Sequence, residues 1–165
     1  AVRRVATIAL VHETLSTGFD ETVAFDEIAL RGLRAVVEVA TQEHHVDSRF
    51  EGSFGRVRAE DATALAMIIS ELVENAVEHG LADRDGSVVV TVDRRPAEAG
   101  DELRVSVTDD GAGLPAGFRP GMAGLGTRIV TSFVQDLRGR IRWENNVPSG
   151  TRVEFVATLR PVGPR

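Results

Sequence analysis

The sequence predicts a two-layer α/β sandwich of the α+β kind, in which three helices cover a mixed, mostly antiparallel sheet. Three observations predict it. Residues 27–40, 60–79 and 125–137 carry apolar side chains at helical spacing. Residues 87–92 and 103–108 are rich in β-branched side chains and are joined by a turn, Pro96-Ala-Glu-Ala-Gly100, so they read as an antiparallel pair. Strand-like runs at 139–144 and 151–159 complete the sheet, with no internal repeat, low-complexity tract or second-domain linker.

The elements follow in order. Residues 2–15 read as a helix with Val5, Ile8, His12 and Leu15 on one stripe, stopped by Gly18. Asp26 is the expected N-cap of the next helix, where Ile28, Leu30, Leu33, Val36, Val37 and Val39 are apolar. Residues 44–52 and Arg56-Val-Arg58 look extended. The long helix of 60–79 buries Leu65, Ile69, Leu72, Val73 and Ala76, and Gly80 is its stop signal. On its other side Glu71, Asn75 and Glu78 fall within about 60° of one another, with His79 at the edge. Residues 110–124 form a Gly/Pro-rich loop.

Composition bounds the chemistry. The 165 residues fit one domain with a real core. All 19 basic residues are Arg, against 25 Asp and Glu, for a net charge of −6. That balance argues against non-specific nucleic-acid binding and against an anionic membrane surface. The absence of Lys excludes a P-loop and any lysine nucleophile. The absence of Cys excludes disulfides, thiolate metal sites and cysteine nucleophiles. No apolar run reaches the ~20 residues of a membrane span, and a cytoplasmic segment, cut from something longer, is expected.

Four motifs carry the functional signal. Glu71-Leu-Val-Glu-Asn75-Ala-Val-Glu-His79 puts a polar stripe on the long helix. The plain reading is a solvated face, but Asn is a poor mid-helix residue, and its carbonyl oxygen is a hard ligand of the kind Mg²⁺ takes. Glu71, one turn earlier, has the chemistry of a base or of a residue that holds water. Asp109-Asp-Gly111-Ala-Gly113 follows a strand. It reads either as an acidic β-turn or as a carboxylate that accepts a hydrogen bond from an exocyclic amine, with glycines that let backbone pass close to a base. A Rossmann reading fails, because Pro115 and Gly117 sit where the helix should open. Gly121-Met-Ala-Gly124-Leu125-Gly126 leads into a helix, either as a flexible entry loop or as an anion site made by helix N-terminal amides. Gly150-Thr151 is the least specific, since a hairpin turn explains it. Together, in this order, the four describe a site for a nucleotide with a divalent metal.

Other residues carry less. His12-Glu-Thr-Leu-Ser-Thr17 has some likeness to a phosphoacceptor box, yet only 63 residues separate His12 from Asn75, too few for a second hairpin helix besides the helix at 27–40. His12 reads as a packing residue. His44 and His45 point to opposite faces and receive no role, and Trp143 reads as packing.

The four motifs resemble the N box and the three successive glycine boxes of the GHKL ATPases, over about residues 25–160. The resemblance implies a Bergerat-type ATP-binding fold. Within that superfamily the chain is similar to the catalytic domain of bacterial sensor histidine kinases, in the branch of cytosolic PdtaS-like sensors with a HisKA_2-type hairpin. The finer match rests on Val2-Arg-Arg-Val-Ala-Thr-Ile-Ala-Leu-Val-His12-Glu13 and on Glu71 to Gly80. Residues 1–17 would then be the end of a dimerisation and phosphoacceptor hairpin, with the acceptor histidine upstream, and residues 25–160 the kinase domain.

The resemblance implies roles residue by residue. Asn75 holds Mg²⁺ against the ATP phosphates, Glu71 assists phosphoryl transfer or positions water, and His79 sits near the phosphates. Asp109 reads the adenine amine with Gly111 and Gly113. Gly124, Leu125 and Gly126 belong to the glycine box that wraps the triphosphate, and Thr151 lines the adenine end. It also implies a homodimer through the hairpin and a response regulator as partner, often one with an RNA-binding ANTAR output. Two departures stand out: Thr127 follows Gly-Leu-Gly where Leu is usual, and the lid between Gly113 and Gly124 is short, with Phe118 as the candidate for a phenylalanine box. An anti-sigma-factor serine kinase of the same fold and a non-catalytic nucleotide-binding module remain the alternatives.

Overall fold

The computed structural model describes residues 22–162; the expected helix at 2–15, its stop at Gly18 and the hairpin assignment of 1–17 lie outside the described residues. The chain forms β1 (Thr22–Ala24), α1 (Phe25–Ala40), β2 (Val46–Gly52), β3 (Arg56–Arg58), α2 (Ala59–Asn75), β4 (Gly86–Arg95), β5 (Glu102–Asp109), α3 (Leu125–Asp136), β6 (Arg140–Asn145) and β7 (Thr151–Thr158). A π-helical turn, Ala76–Gly80, extends α2, and one 3-10 turn, Pro120–Met122, interrupts the long loop.

The main sheet has the order β2-β4-β5-β7-β6. β2 runs parallel to β4, and every other neighbour is antiparallel. A parallel pair needs a long crossover, and α2 lies in the segment that supplies it. β1 and β3 pair separately as a two-stranded ribbon. The expected mixed, mostly antiparallel sheet under three helices is what forms.

Alternation explains the layering. Val88, Val90 and Val92 of β4, Leu103, Val105 and Val107 of β5, and Val153, Phe155 and Ala157 of β7 are buried on the inner face. α1 contributes Phe25, Ile28, Leu33, Val36 and Val37 to the same core, and α3 contributes Val130 and Val134. α2 packs between α1 and α3 and is buried on nearly every side, from Asp61 to Glu74. The outer sheet face is charged. There Glu154 is only 8 % exposed. Burial would raise its pKa, but hydrogen bonds from Arg152 and Arg104 outweigh that and hold it below the usual range.

Asp26 does not cap α1. The cap position is Ala24, with no side-chain hydrogen bond. The β1–β3 pairing starts the helix earlier and brings residues 53–55 over its first turn. There the Asp26 carboxylate accepts hydrogen bonds from the Phe54 N–H at 2.7 Å and the Ser53 hydroxyl at 2.6 Å. Phe54 packs edge-on to Phe25, with ring centroids 4.8 Å apart. At the other end of the fold, Asp61 in the first turn of α2 is fully buried. It takes the Arg160 backbone N–H at 2.8 Å and the Arg160 guanidinium, so the segment after β7 is tied to the start of α2.

Arg160→Ala removes the guanidinium and leaves Asp61 buried with only the backbone donor. It should cost about 1–3 kcal/mol, seen as a lower urea midpoint at unchanged slope.

Candidate functional site

α2 delivers the polar stripe, and the π turn that follows finishes it. Leu81 N–H reaches Ala76 O at 3.0 Å, the i→i+5 bond of a widened turn of the kind often found at functional sites. The first half of the stripe is not a solvated face, since Glu71 and Glu74 are 2 % and 7 % exposed, whereas Glu78 and His79 are exposed at its end. Glu71 and Glu74 line a cavity of about 650 Å³, together with Asn75, Glu78 and His79. The opposite walls come from Gly113, Leu114, Pro115 and Phe118 of the loop, from Ala123, Gly124, Gly126 and Thr127 at the start of α3, and from Val107, Asp109, Trp143, Thr151 and Val153 on the sheet. The volume is that of a small-molecule site.

Gly80 does not stop the helix by the left-handed conformation expected of a C-terminal glycine, since it is absent from the positive-φ positions. Its reason is steric. A Cβ there would lie 2.7 Å from Asp109 Oδ1, and a Cβ on Gly111 would lie 1.9 Å from Gly80 O. The Ala112 N–H donates to that same Gly80 oxygen at 2.9 Å. The end of the π turn and the end of β5 therefore touch backbone to backbone.

Asp109 sits at that contact and is 4 % exposed. Its Oδ1 accepts the N–H of Gly111 at 2.9 Å and the N–H of Thr151 at 3.2 Å. Oδ2 takes no hydrogen bond from a described residue, which leaves it for a donor in the cavity. Burial raises the Asp109 pKa; the Gly111 and Thr151 amides pull it back in part, and neighbouring Asp110 pushes it up again. Asp110 itself turns away, accepting the Ser87 N–H at 2.8 Å.

Gly150, with φ +96°, lies so close to the β5 end that a Cβ would be 1.9 Å from Asp109 O. It positions Thr151 for its bond to Asp109. At the far end of the cavity, Gly124 is the N-cap of α3, and no side chain caps that helix. Gly124, Gly126 and Thr127 line the cavity, so the start of this uncapped helix borders it.

The structure brings Glu71, Asn75, His79, Asp109, Gly113, Gly124, Gly126 and Thr151 around one cavity. Gly111 is not in its wall; it supports Asp109 from behind through its N–H. Leu125 is not in the wall either, and its side chain is 66 % exposed. As the first helical residue after the glycine cap it turns outward, so what it offers the cavity is limited to backbone. Sequence reasoning named Glu74 and Thr127 within the motifs but gave them no role, and it missed Leu114 and the apolar floor of Val107 and Val153. The floor residues carry the period-2 signal of an inner sheet face, but only strand register puts them beside Asp109. Asn145 was missed as well. Its Oδ1 accepts the Leu114 N–H at 2.8 Å and so ties the root of the loop to β6. His44 and His45 lie away from this cavity.

An inner sheet face, a helix ending in an Asn-containing acidic stripe, and a glycine-rich loop opening onto an uncapped helix define an ATP-binding domain class. The chain belongs to the family of histidine kinase-, DNA gyrase B- and HSP90-like ATPases (HATPase_c), which matches residues 60–161. Its relatives narrow the class to the catalytic domain found in sensor histidine kinases. It is 39 % identical to the sensor histidine kinase PdtaS of Mycobacterium tuberculosis over 170 residues, covering 100 % of this chain and 32 % of that protein. It is 31 % identical to blue-light-activated histidine kinase 2 of Erythrobacter litoralis over 142 residues, 82 % of this chain and 40 % of the relative. Among solved structures, the histidine kinase domain of E. litoralis EL346 superposes with a TM-score of 0.80 at 26 % identity, covering 96 % of this chain and 74 % of that one. The chain thus spans about a third of the length of PdtaS. Among the described residues no helix is long and apolar enough to cross a membrane.

The raised Asp109 pKa fixes the sign of a test. Folding favours the protonated form, so this group's stabilising contribution is present below the ordinary pKa near 3.8 and is lost as pH rises through the folded value. At neutral pH the buried charge is a net cost. Asp109→Asn should therefore keep or raise the thermal midpoint at pH 7, measured by calorimetry, with the advantage disappearing in acid.

Proposed function

We propose that this domain binds Mg·ATP and serves as the kinase module of a two-component sensor, donating the γ-phosphoryl to a histidine on a hairpin. The single observation that carries the reading is Asp109, a buried carboxylate with Oδ1 held by two amides and Oδ2 turned to the cavity. That is the acceptor an exocyclic amine of adenine requires. The uncapped N-terminus of α3 at the opposite end of the same cavity suits the phosphates.

Magnesium fits the donor set only as a shared ligand. No group of three His, Cys, Asp or Glu side chains among the described residues could hold a metal alone. Asn75, with Glu71 one turn before it, offers hard oxygen donors at the cavity wall, to be completed by phosphate oxygens and water. When bound, the ion neutralises phosphate charge as the terminal group leaves. The residues of the chain do the rest. Asn75 fixes the metal end. Glu71 accepts a proton or orients the attacking group. His79, exposed at the cavity edge, lies on the side where the phosphates would emerge. Gly124, the Leu125 backbone and Gly126 wrap the triphosphate with amides, and Thr151 and Gly113 complete the adenine end with Gly111 behind them. Catalysis of this kind is mostly positioning and charge stabilisation.

The same reading gives the larger assembly. The acceptor histidine would stand on a hairpin of the sensor, two copies would dimerise through it, and a response regulator, of the ANTAR class by analogy, would receive the phosphoryl group. The site of action is cytoplasmic.

Calorimetric titration of Mg·ADP into the chain and into Asp109→Asn tests the reading. Saturable binding in the parent and its loss in the variant is expected; no binding in the parent refutes it. Asn75→Ala should abolish most of the gain in affinity that Mg²⁺ gives ADP. Glu71→Gln should keep nucleotide affinity and lose transfer to a supplied hairpin by at least about 100-fold, the usual size of a general-base contribution.

A further inference from the structure

We propose that Trp143 is a further ligand-contacting residue, its indole forming the end wall against which the nucleoside of the bound nucleotide packs, with Phe118 holding the indole in place. The inference rests on the nucleotide reading above and extends it to a residue outside the four motifs.

Strand register puts Trp143 there. Val107 of β5 pairs with Val153 of β7, which pairs with Trp143 of β6. The three form one row on the inner face, one pleat below the row of Asp109, Thr151 and Asn145. A base that donates to Asp109 lies over Val107 and Val153. The next side chain along that row is the indole, two strand spacings from β5, about 10 Å. A purine with its sugar attached spans that gap.

The side chains themselves point to a ligand. Phe118 and Trp143 both line the cavity, with ring centroids 6.3 Å apart and planes tilted by 50°. Both are only partly buried, whereas Phe25, Phe54 and Phe155 are fully buried in the core. The indole N–H donates to no described residue. A partly buried aromatic ring in a cavity wall, with no described residue accepting from its indole N–H, suits an amphipathic ligand such as a nucleoside. Trp143 also lines a second groove behind the loop, with Pro120, Arg128 and Ile141, so the indole is the partition between the two spaces. The Leu114–Asn145 bond pins the loop root to the same strand face, two residues along, and keeps Phe118 over the indole.

The chain has one Trp and no Tyr, so its indole emission reports Trp143 alone. The test titrates Mg·ADP, and separately Mg·tripolyphosphate, into the intact chain, following emission and heat together. A saturable emission change with ADP, at the midpoint given by heat, is expected, with little or none from tripolyphosphate. Trp143→Leu and Phe118→Leu should weaken ADP binding about tenfold, and Trp143→Phe, which keeps a ring, should retain most of it. If Trp143→Leu fails to fold, Phe118→Leu and Trp143→Phe carry the comparison. Heat of ADP binding with unchanged emission and unchanged affinity in the variants overturns the proposal and leaves the nucleotide reading standing. An equal emission change from tripolyphosphate also overturns it, because the indole would then sense the loop and not the base. No heat with ADP in the parent overturns both.

Discussion

Asp109 holds together three pieces of chain that are far apart in sequence. Its carboxylate fills the space beside Gly80 Cα, and its Oδ1 binds the amides of Gly111 and Thr151. The end of α2, the end of β5 and the start of β7 meet there. Because a Cβ on Gly80 or Gly111 would collide at that junction, the glycines are set by packing as much as by ligand approach. The cost is a buried charge whose pKa is pushed up by burial. A domain shaped only for stability would use a neutral residue there. Retaining an acceptor aimed into a cavity is the signature of a site in which stability yields to recognition.

The second constraint is the burial of α2. A helix enclosed by two helices and a sheet has little room for charge, yet Glu71 and Glu74 lie within it. Both border the cavity, and Glu74 also accepts a hydrogen bond from the Ser70 hydroxyl at 3.5 Å. The π turn then carries the wall on to Glu78 and His79 while returning Gly80 to the contact with Asp109. Wall, turn and carboxylate form one continuous surface, with acidic and amide oxygens toward one end and an apolar sheet floor toward the other. Acidic oxygens of this kind meet a phosphate tail only through a divalent cation, in keeping with the proposed Mg·ATP reading.

The loop between β5 and α3 is attached to β6. Asn145 binds its root, and Phe118 rests on Trp143. The sheet edge thus serves two purposes: β6 closes the inner core and provides the shelf on which the loop stands. The outer face, by contrast, is committed to arginine–carboxylate pairs around Glu154 and faces away from the site.

Much of this was legible in the sequence. Periodicity determined the three helices, the β4–β5 hairpin and the two-layer class, because burial on one face imposes a period of 3.6 or 2 on any chain. The order of the motifs determined the family and named residues that do converge on one cavity. What periodicity could not carry was everything set by contacts between distant segments. Asp26 looks like a cap but serves the 53–55 loop, because β1–β3 pairing moved the helix start. Gly80 looks like a left-handed stop but is small to admit Asp109. Glu71 looks solvent-facing on a helical wheel but is enclosed by the sheet and the loop. Trp143 and Asn145 share a strand face at a spacing of two, and only the register of β6 on β7 turns that face toward the cavity. Local spacing fixes which residues share a side, whereas the neighbour that side meets is fixed by packing across the fold.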